Sequence, residues 1–243
     1  MQQGFPRTEV LVIGAGLSGA ITSQRLARAG IEVTCLEQGV WNPMESYPGD
    51  KPDFELQALG PWNANPNIRR GKADYPILDD TSDIKPLLFN GVGGSTVMFS
   101  AHWMRFLPSD FFTYSLDGVG TDWPIDYQDL EPYYLQTEED IGVSGVAGDP
   151  AYPDRPDYPM PPLPIQPWGE KVAAAHDRLG WHWWPGSNAI TSRPYQGRRP
   201  CVQRSTCRAG CNEGAKGSAD RSIWPSAIEA GAKLVTGARV VRI

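Results

Sequence analysis

The chain has 243 residues, of which 40% are hydrophobic, and it carries a formal charge of −6, 23 prolines and nine tryptophans. That length fits one large domain or two small ones, and the acidic balance argues against a nucleic-acid surface. No apolar run approaches the ~18 residues of a bilayer span, four cysteines are too few for a secreted disulfide scaffold, and the first residues show no signal-peptide pattern, so a soluble, cytoplasmic protein without a membrane span is expected.

Taken in chain order, Glu9 to Ile13 is an apolar run after its first residue, as a central parallel strand should be. A glycine turn, Gly14-Ala15-Gly16-Leu17-Ser18-Gly19, follows it. Leu17 to Ala29 has helical spacing, with Leu17, Ala20, Ile21 and Leu26 on one side and Arg25 and Arg28 on the other, and Gly30 stops it. Ile31 to Leu36 is a second strand ending at Glu37. Residues 40–85 are rich in Pro, Asn and Asp and predict little regular structure. A second glycine turn, Asn90-Gly-Val-Gly-Gly-Ser-Thr96, leads into an apolar, helix-like stretch to Phe106. Tyr127 to Ile141 reads as a helix carrying Leu130, Tyr133, Tyr134 and Leu135. Residues 148–168 are dense in proline and predict an extended connection. Glu170 to Leu179 is an amphipathic helix closed by Gly180, Trp181-His-Trp-Trp184 reads as a strand, Ile223 to Ala230 as a helix, and Lys233 to Ile243 as the last strand or strands. Ending on Val240-Val-Arg-Ile243, inside an apolar strand, predicts a truncated or split protein.

The chemistry starts from the first turn. Gly14 allows a sharp exit from the strand, Gly16 presents no side chain to a pyrophosphate, and Gly19 lets the helix sit close to the strand. The helix N-terminus then offers free N–H groups and a partial positive charge to phosphates. Glu37, at the end of the second strand, can accept hydrogen bonds from both ribose hydroxyls. The combination predicts a dinucleotide cofactor. Its position near the start of the chain and the second glycine turn, Gly91 to Ser95, favour FAD over NAD.

Four blocks resemble the glucose–methanol–choline (GMC) oxidoreductase family, in its branch of pyranose oxidases, sugar dehydrogenases and gluconate dehydrogenases. They are the first turn through Leu36-Glu-Gln-Gly39; Gly91 to Phe106; Asp122-Trp-Pro-Ile-Asp-Tyr-Gln-Asp-Leu-Glu-Pro-Tyr-Tyr134 to Val143; and Gly210-Cys-Asn-Glu-Gly-Ala-Lys216 with Trp224-Pro and Ala230 to Val240. The similarity covers nearly the whole chain but only the N-terminal half of the family's usual length. It implies an α/β, Rossmann-like FAD-binding domain with an α+β substrate-binding domain, truncated at the C-terminus: residues 1–115 and 198–243 for the cofactor and 116–197 for the substrate. It implies cofactor contacts at Gly14, Ala15, Gly16, Leu17, Ser18, Gly19, Glu37, Gln38, Gly93, Gly94, Ser95, Met98, Phe99, Ser100 and Val240, the last through its backbone.

The resemblance further implies oxidation of a CH–OH group of a sugar, glycoside or polyol by hydride transfer to flavin N5. Some members bind FAD covalently through a histidine where this chain has Met98, so non-covalent FAD is expected, and His102 reads as a structural histidine. The family's catalytic histidine, with its His or Asn partner, lies downstream of every residue present, and His176 and His182 fall in the wrong blocks, so no catalytic residue is assigned here. A second chain or C-terminal half is expected as partner; the electron acceptor stays open. Trp181, Trp183 and Trp184 either fill a core or stack on a sugar face, with core preferred. Cys201, Cys207 and Cys211 match the spacing on which one sugar-dehydrogenase branch carries an iron–sulfur cluster, and also that of plain loop cysteines; no metal is assigned. The alternative functions are an NAD-dependent dehydrogenase and a non-catalytic cofactor-binding or scaffold subunit completed by a second polypeptide.

Overall fold

The computed structural model describes residues 7–85 and 87–243. In chain order its elements are β1 (Val10–Ile13), α1 (Leu17–Arg28), β2 (Val33–Leu36), the short α2 (Phe54–Leu59) and α3 (Pro66–Arg69), α4 (Thr113–Asp117), α5 (Tyr127–Ile141), α6 (Pro167–Leu179), α7 (Ala219–Ser222), α8 (Trp224–Glu229) and β3 (Lys233–Val235), with 3-10 turns that include Gly94–Val97. The chain packs as two units. One runs up to Ala101 and resumes at Val202–Ile243; the other is His102–Cys201.

The first unit is built on a parallel sheet ordered β1-β2-β3, with Val12 opposite Cys35 and Cys35 opposite Leu234. Period-two alternation puts Val33 and Cys35 of β2 on one face, fully buried. Helix α1 packs on β1 and β2 and touches α8 on its far side. Ala20 and Ala27 are buried along it, and Gln24 Nε2 donates to Ser226 Oγ at 2.6 Å. The opposite face carries Leu11, Ile13 and Val235, which stay 52%, 49% and 45% exposed. These strands are apolar on both sides, as parallel strands covered twice should be, yet one side is bare among the described residues. A second cluster of Tyr47, Phe89, Val97 and Met98, with Trp62 against it, anchors the irregular residues that follow β2. The expected long final strand is only Lys233–Val235. Beyond it, the amides of Gly237 and Ala238 still donate to the carbonyls of Gly39 and Glu37, each at 2.9 Å.

The second unit is helix and loop. Helix α5 begins at a reciprocal cap: the Asp129 amide donates to Asp126 Oδ1 and the Asp126 amide to Asp129 Oδ2, both at 3.0 Å. It ends at Gly142, whose φ of +73° gives the left-handed stop. Its inner face places Glu138 between two arginines. Arg105 donates to both carboxylate oxygens (2.8 and 2.9 Å), Arg155 donates to the same pair (3.0 and 2.6 Å), and the Tyr127 hydroxyl accepts from Arg105 Nη1 at 2.8 Å. The expected helix after the second glycine turn is a single 3-10 turn, because Gly93 and Gly94 at φ +97° and +54° leave the α region.

The strand expected at Trp181–Trp184 does not form. The segment is irregular and pairs with no neighbouring ladder among the described residues. Trp181 is 61% exposed; Trp183 and Trp184 turn their indole N–H groups to Asp177 Oδ1 (2.7 Å) and the Val146 carbonyl (2.9 Å). None of the three is fully buried, since no sheet lies beneath them to bury them. Helix α6, which leads into this segment, has no buried residue.

Candidate functional site

The site grows from the end of β1. Gly14 takes φ +93°, and its amide donates to the Leu36 carbonyl at 2.8 Å, so the chain leaves the sheet sharply while tied to β2. A Cβ on Gly19 would lie 2.0 Å from the Gly14 carbonyl oxygen, which is why α1 can begin this close to the strand only with glycine there. Helix α1 opens at Gly16 with no side-chain cap and no acidic residue in its first turn. The first amides of a helix lack intrahelical acceptors, so those of Leu17, Ser18 and Gly19 face an anion-friendly end.

Ala15 is the hub between the parts. Its amide donates to Glu37 Oε2 at 2.8 Å, and its carbonyl accepts from the Gly93 amide and from Trp224 Nε1, both at 2.9 Å. Glu37 is buried, and its other oxygen accepts from the Gly39 amide at 2.8 Å. Two backbone donors therefore fix the carboxylate, and each oxygen keeps a lone pair for a hydroxyl. Gln38 Nε2 donates to Asn90 Oδ1, which joins the acid segment to the second turn.

That second turn lies against the first. Val92 N–H donates to the Val40 carbonyl at 3.1 Å, and a Cβ on Gly94 would meet the Gly16 Cα at 2.8 Å. Gly93 is fixed from behind: a Cβ there would come 3.0 Å from Asp220 Oδ1. Asp220 is fully buried, with Oδ2 accepting from the Tyr47 hydroxyl at 3.0 Å. Thr96 Oγ1 donates to the Gly93 carbonyl (2.5 Å) and accepts from the Ala219 amide (2.9 Å).

The expected contact residues divide by surroundings. Ser95 and Ser100 are exposed, and Phe99 is half-buried. The Met98 side chain is buried in the Tyr47 cluster, with Arg69 Nη1 3.7 Å from its sulfur. Val240 lies past the pairing of Gly237 and Ala238 with the Glu37–Gly39 segment, half-buried and outside any strand. His102 is exposed, His176 packs edge-on against Trp181, and His182 pairs with Asp149 at 3.1 Å; all three lie in the second unit. Among the described residues no group of three or more His, Cys, Asp or Glu is placed to hold a metal ion.

Sequence reading missed three groups that build the site: Trp224, which donates to Ala15; Asp220, behind Gly93; and Lys216, whose ammonium reaches the carbonyls of Val97, Phe99 and Cys207. Their signal was present only as the run Gly210 to Lys216 and the Trp224-Pro pair, with nothing to say that either would be buried.

An uncapped helix end without acids, glycines where a Cβ would intrude, and a fixed buried carboxylate with spare lone pairs fit the ADP end of a dinucleotide. Comparisons agree. Residues 7–46, spanning β1 to Glu37, match the FAD binding domain family model, and the cofactor is FAD. The chain is 42% identical over 247 residues to the 2-methyl-1,2-propanediol dehydrogenase of Mycolicibacterium austroafricanum, covering 100% of this chain and 44% of that protein. It is 31% identical over 223 residues to the fructose dehydrogenase large subunit of Gluconobacter japonicus, covering 85% of this chain and 41% of that one. Among solved structures, the pyridoxine 4-oxidase from Mesorbium loti shares the fold with a TM-score of 0.56 at 19% identity, covering 96% of this chain and 43% of that one. The chain thus spans less than half the length of the curated relatives it matches.

Proposed function

Because this chain is a homologue of the glucose–methanol–choline oxidoreductases, we propose that it supplies the FAD cradle and part of the substrate wall of an enzyme that oxidises a CH–OH group. The substrate class is a sugar, glycoside or polyol, which the diol and sugar named for the two relatives support. When bound, FAD supplies the hydride-accepting N5. The amides of Leu17, Ser18 and Gly19 hold the pyrophosphate, Glu37 accepts the ribose hydroxyls, and the Gly93–Ser100 segment lies along the rest of the cofactor. Met98 offers a thioether, which forms no bond to a flavin, so the flavin is held without a covalent bond. Residues 1–115 and 198–243 serve the cofactor, and 116–197 the substrate.

The observation that carries this reading is the Ala15 hub, which ties an acid-free helix end, a buried acid and a second glycine turn into one cradle. The three histidines support a division of labour: all of them fall in the unit His102–Cys201, and the sequence pattern assigns none of them as the base. The base that removes the hydroxyl proton then comes from another polypeptide segment, and the bare sheet face of Leu11, Ile13 and Val235 is where such a segment packs.

Titration of the purified chain with FAD, followed by flavin fluorescence, tests the cradle; assay with a diol and a sugar under an artificial acceptor tests the chemistry. FAD uptake released intact by denaturation supports the reading, and turnover is expected only with the completing polypeptide present. A chain that takes up no FAD, alone or completed, rejects it. Uptake of FAD with no turnover in the completed protein favours the alternative of a non-catalytic cofactor-binding subunit.

A further inference from the structure

Lys216 is wholly buried in the loop that precedes α7. Lysine is almost never fully buried unless paired. Here the ammonium is met by backbone: Nζ donates to the carbonyls of Val97 (2.7 Å), Phe99 (3.2 Å) and Cys207 (2.5 Å). An ammonium has three N–H donors, and all three are used. A neutral amine has two, so one of these carbonyls would go without its donor. The cation also lies 5.4 Å from the centre of the Phe99 ring.

The three carbonyls come from two irregular segments far apart in sequence. Val97 closes the 3-10 turn that starts at Gly94, and Phe99 is two residues on. The front of this turn is fixed to Ala15 through the Gly93 amide and to α7 through Thr96. Its rear has Lys216. The charged and titratable groups acting on Lys216 are Cys207, Cys211 and Asp220. Past the 3-10 turn no helix or sheet ladder holds residues 98–101; the amides of Met98 and Phe99 donate back to the Ser95 carbonyl, and Lys216 is the side chain that ties the Val97 and Phe99 carbonyls to the Cys207 loop.

We propose that Lys216, as an ammonium, is a positioning residue for FAD: it fixes the Val97–Phe99 backbone for the flavin and sets a positive charge behind that segment. The inference rests on the reading that Gly93–Ser100 lies along the cofactor. A positive charge near a flavin favours its reduced, more negative form, so removing it makes the bound flavin harder to reduce.

The test compares the wild-type chain, Lys216→Met and Lys216→Arg by FAD titration and by the midpoint potential of the bound flavin. Lys216→Met is expected to bind FAD at least tenfold more weakly and to shift the potential to more negative values. Lys216→Arg, which keeps charge and donors, is expected to recover most of the potential. Burial pulls the Lys216 ammonium down to about 8, against the opposing pull of Cys207, Cys211 and Asp220, so wild-type affinity for FAD should weaken as pH rises through that value, and Lys216→Met should lack this step. Where the methionine variant does not fold, Lys216→Gln, which keeps a donor but no charge, is read in its place. A wild-type chain that binds FAD beside a folded Lys216→Met or Lys216→Gln of equal affinity and equal potential overturns this inference alone. A wild-type chain that takes up no FAD, alone or with the completing polypeptide, overturns the functional reading and this inference together.

Discussion

Gly94 lies so close to Gly16 that a Cβ on Gly94 would stand 2.8 Å from the Gly16 Cα. The two glycine turns are thus one surface, although Gly16 and Gly94 are 78 positions apart in the chain. Their contact makes Gly94 a strict requirement, since its φ of +54° also disfavours any other residue. Gly94→Ala should lower stability by about 1–3 kcal/mol and weaken FAD binding more than about tenfold. Denaturant unfolding and FAD titration on the same sample check both; unchanged affinity would show that the turns can part without harm to the site.

Glu37 accepts two backbone hydrogen bonds, one on each oxygen. Glu37→Gln replaces one acceptor with an NH2 facing an N–H donor, and a buried donor without its partner costs about 1–3 kcal/mol. The expected outcome is weaker FAD binding by about tenfold and loss of preference for a ribose diol, measured by comparing FAD with FMN, which lacks the adenosine end. Equal discrimination in wild type and variant would remove Glu37 from the ribose site.

The Arg105–Glu138–Arg155 set is buried and fully bonded at its carboxylate. Breaking a buried charged group by deleting one partner typically costs about 3–5 kcal/mol. Glu138→Ala leaves the buried Arg155 without this carboxylate and Arg105 with only the longer contact to Glu131 at 3.8 Å, and thermal unfolding should show the loss. Flavin affinity measured below the melting temperature should change far less, because this set belongs to the unit without the cradle.

Acid should loosen the first unit by way of Asp74. Burial pushes its carboxyl up, but donors from Arg69, Asn90 and the Gly71 amide outweigh that and hold it below the usual carboxylate range. A group with a lowered folded pKa contributes stability above its unfolded value, near 4, and loses it as pH falls through the folded value. Asp74→Asn should therefore flatten the acid limb of a stability-versus-pH curve and leave the slope above pH 6 unchanged. An acid limb of the same steepness in the variant would assign that loss to other carboxylates.

The cradle was legible because each of its parts is a local rule. An apolar strand, three spaced glycines, an amphipathic helix, a second strand and an acid can each be read within a few residues, and the parallel β1–β2 pairing follows from them. Helix α5 was legible through the spacing of Leu130, Tyr133, Tyr134 and Leu135. What escaped depends on distant partners. Lys216 in a loop looks solvent-bound until the carbonyls of Val97 and Phe99, 119 and 117 positions away, are brought to it. Trp181 to Trp184 has strand-like residues, yet a strand exists only with a neighbour to pair with, and alternation of side chains cannot supply one. The stretch to Phe106 is apolar enough for a helix, but consecutive left-handed glycines set its backbone on another path before composition can act.

The half-bare sheet also governs how this polypeptide will behave in a tube. Oily strand surface left open to water binds reporter dyes such as ANS and glues molecules to one another. Expressed by itself, the chain should stain brightly and clump at concentrations where the chain with a polypeptide packed on that face stays clear. Brightness falling as a candidate covering polypeptide is added gives a colour-independent readout of assembly.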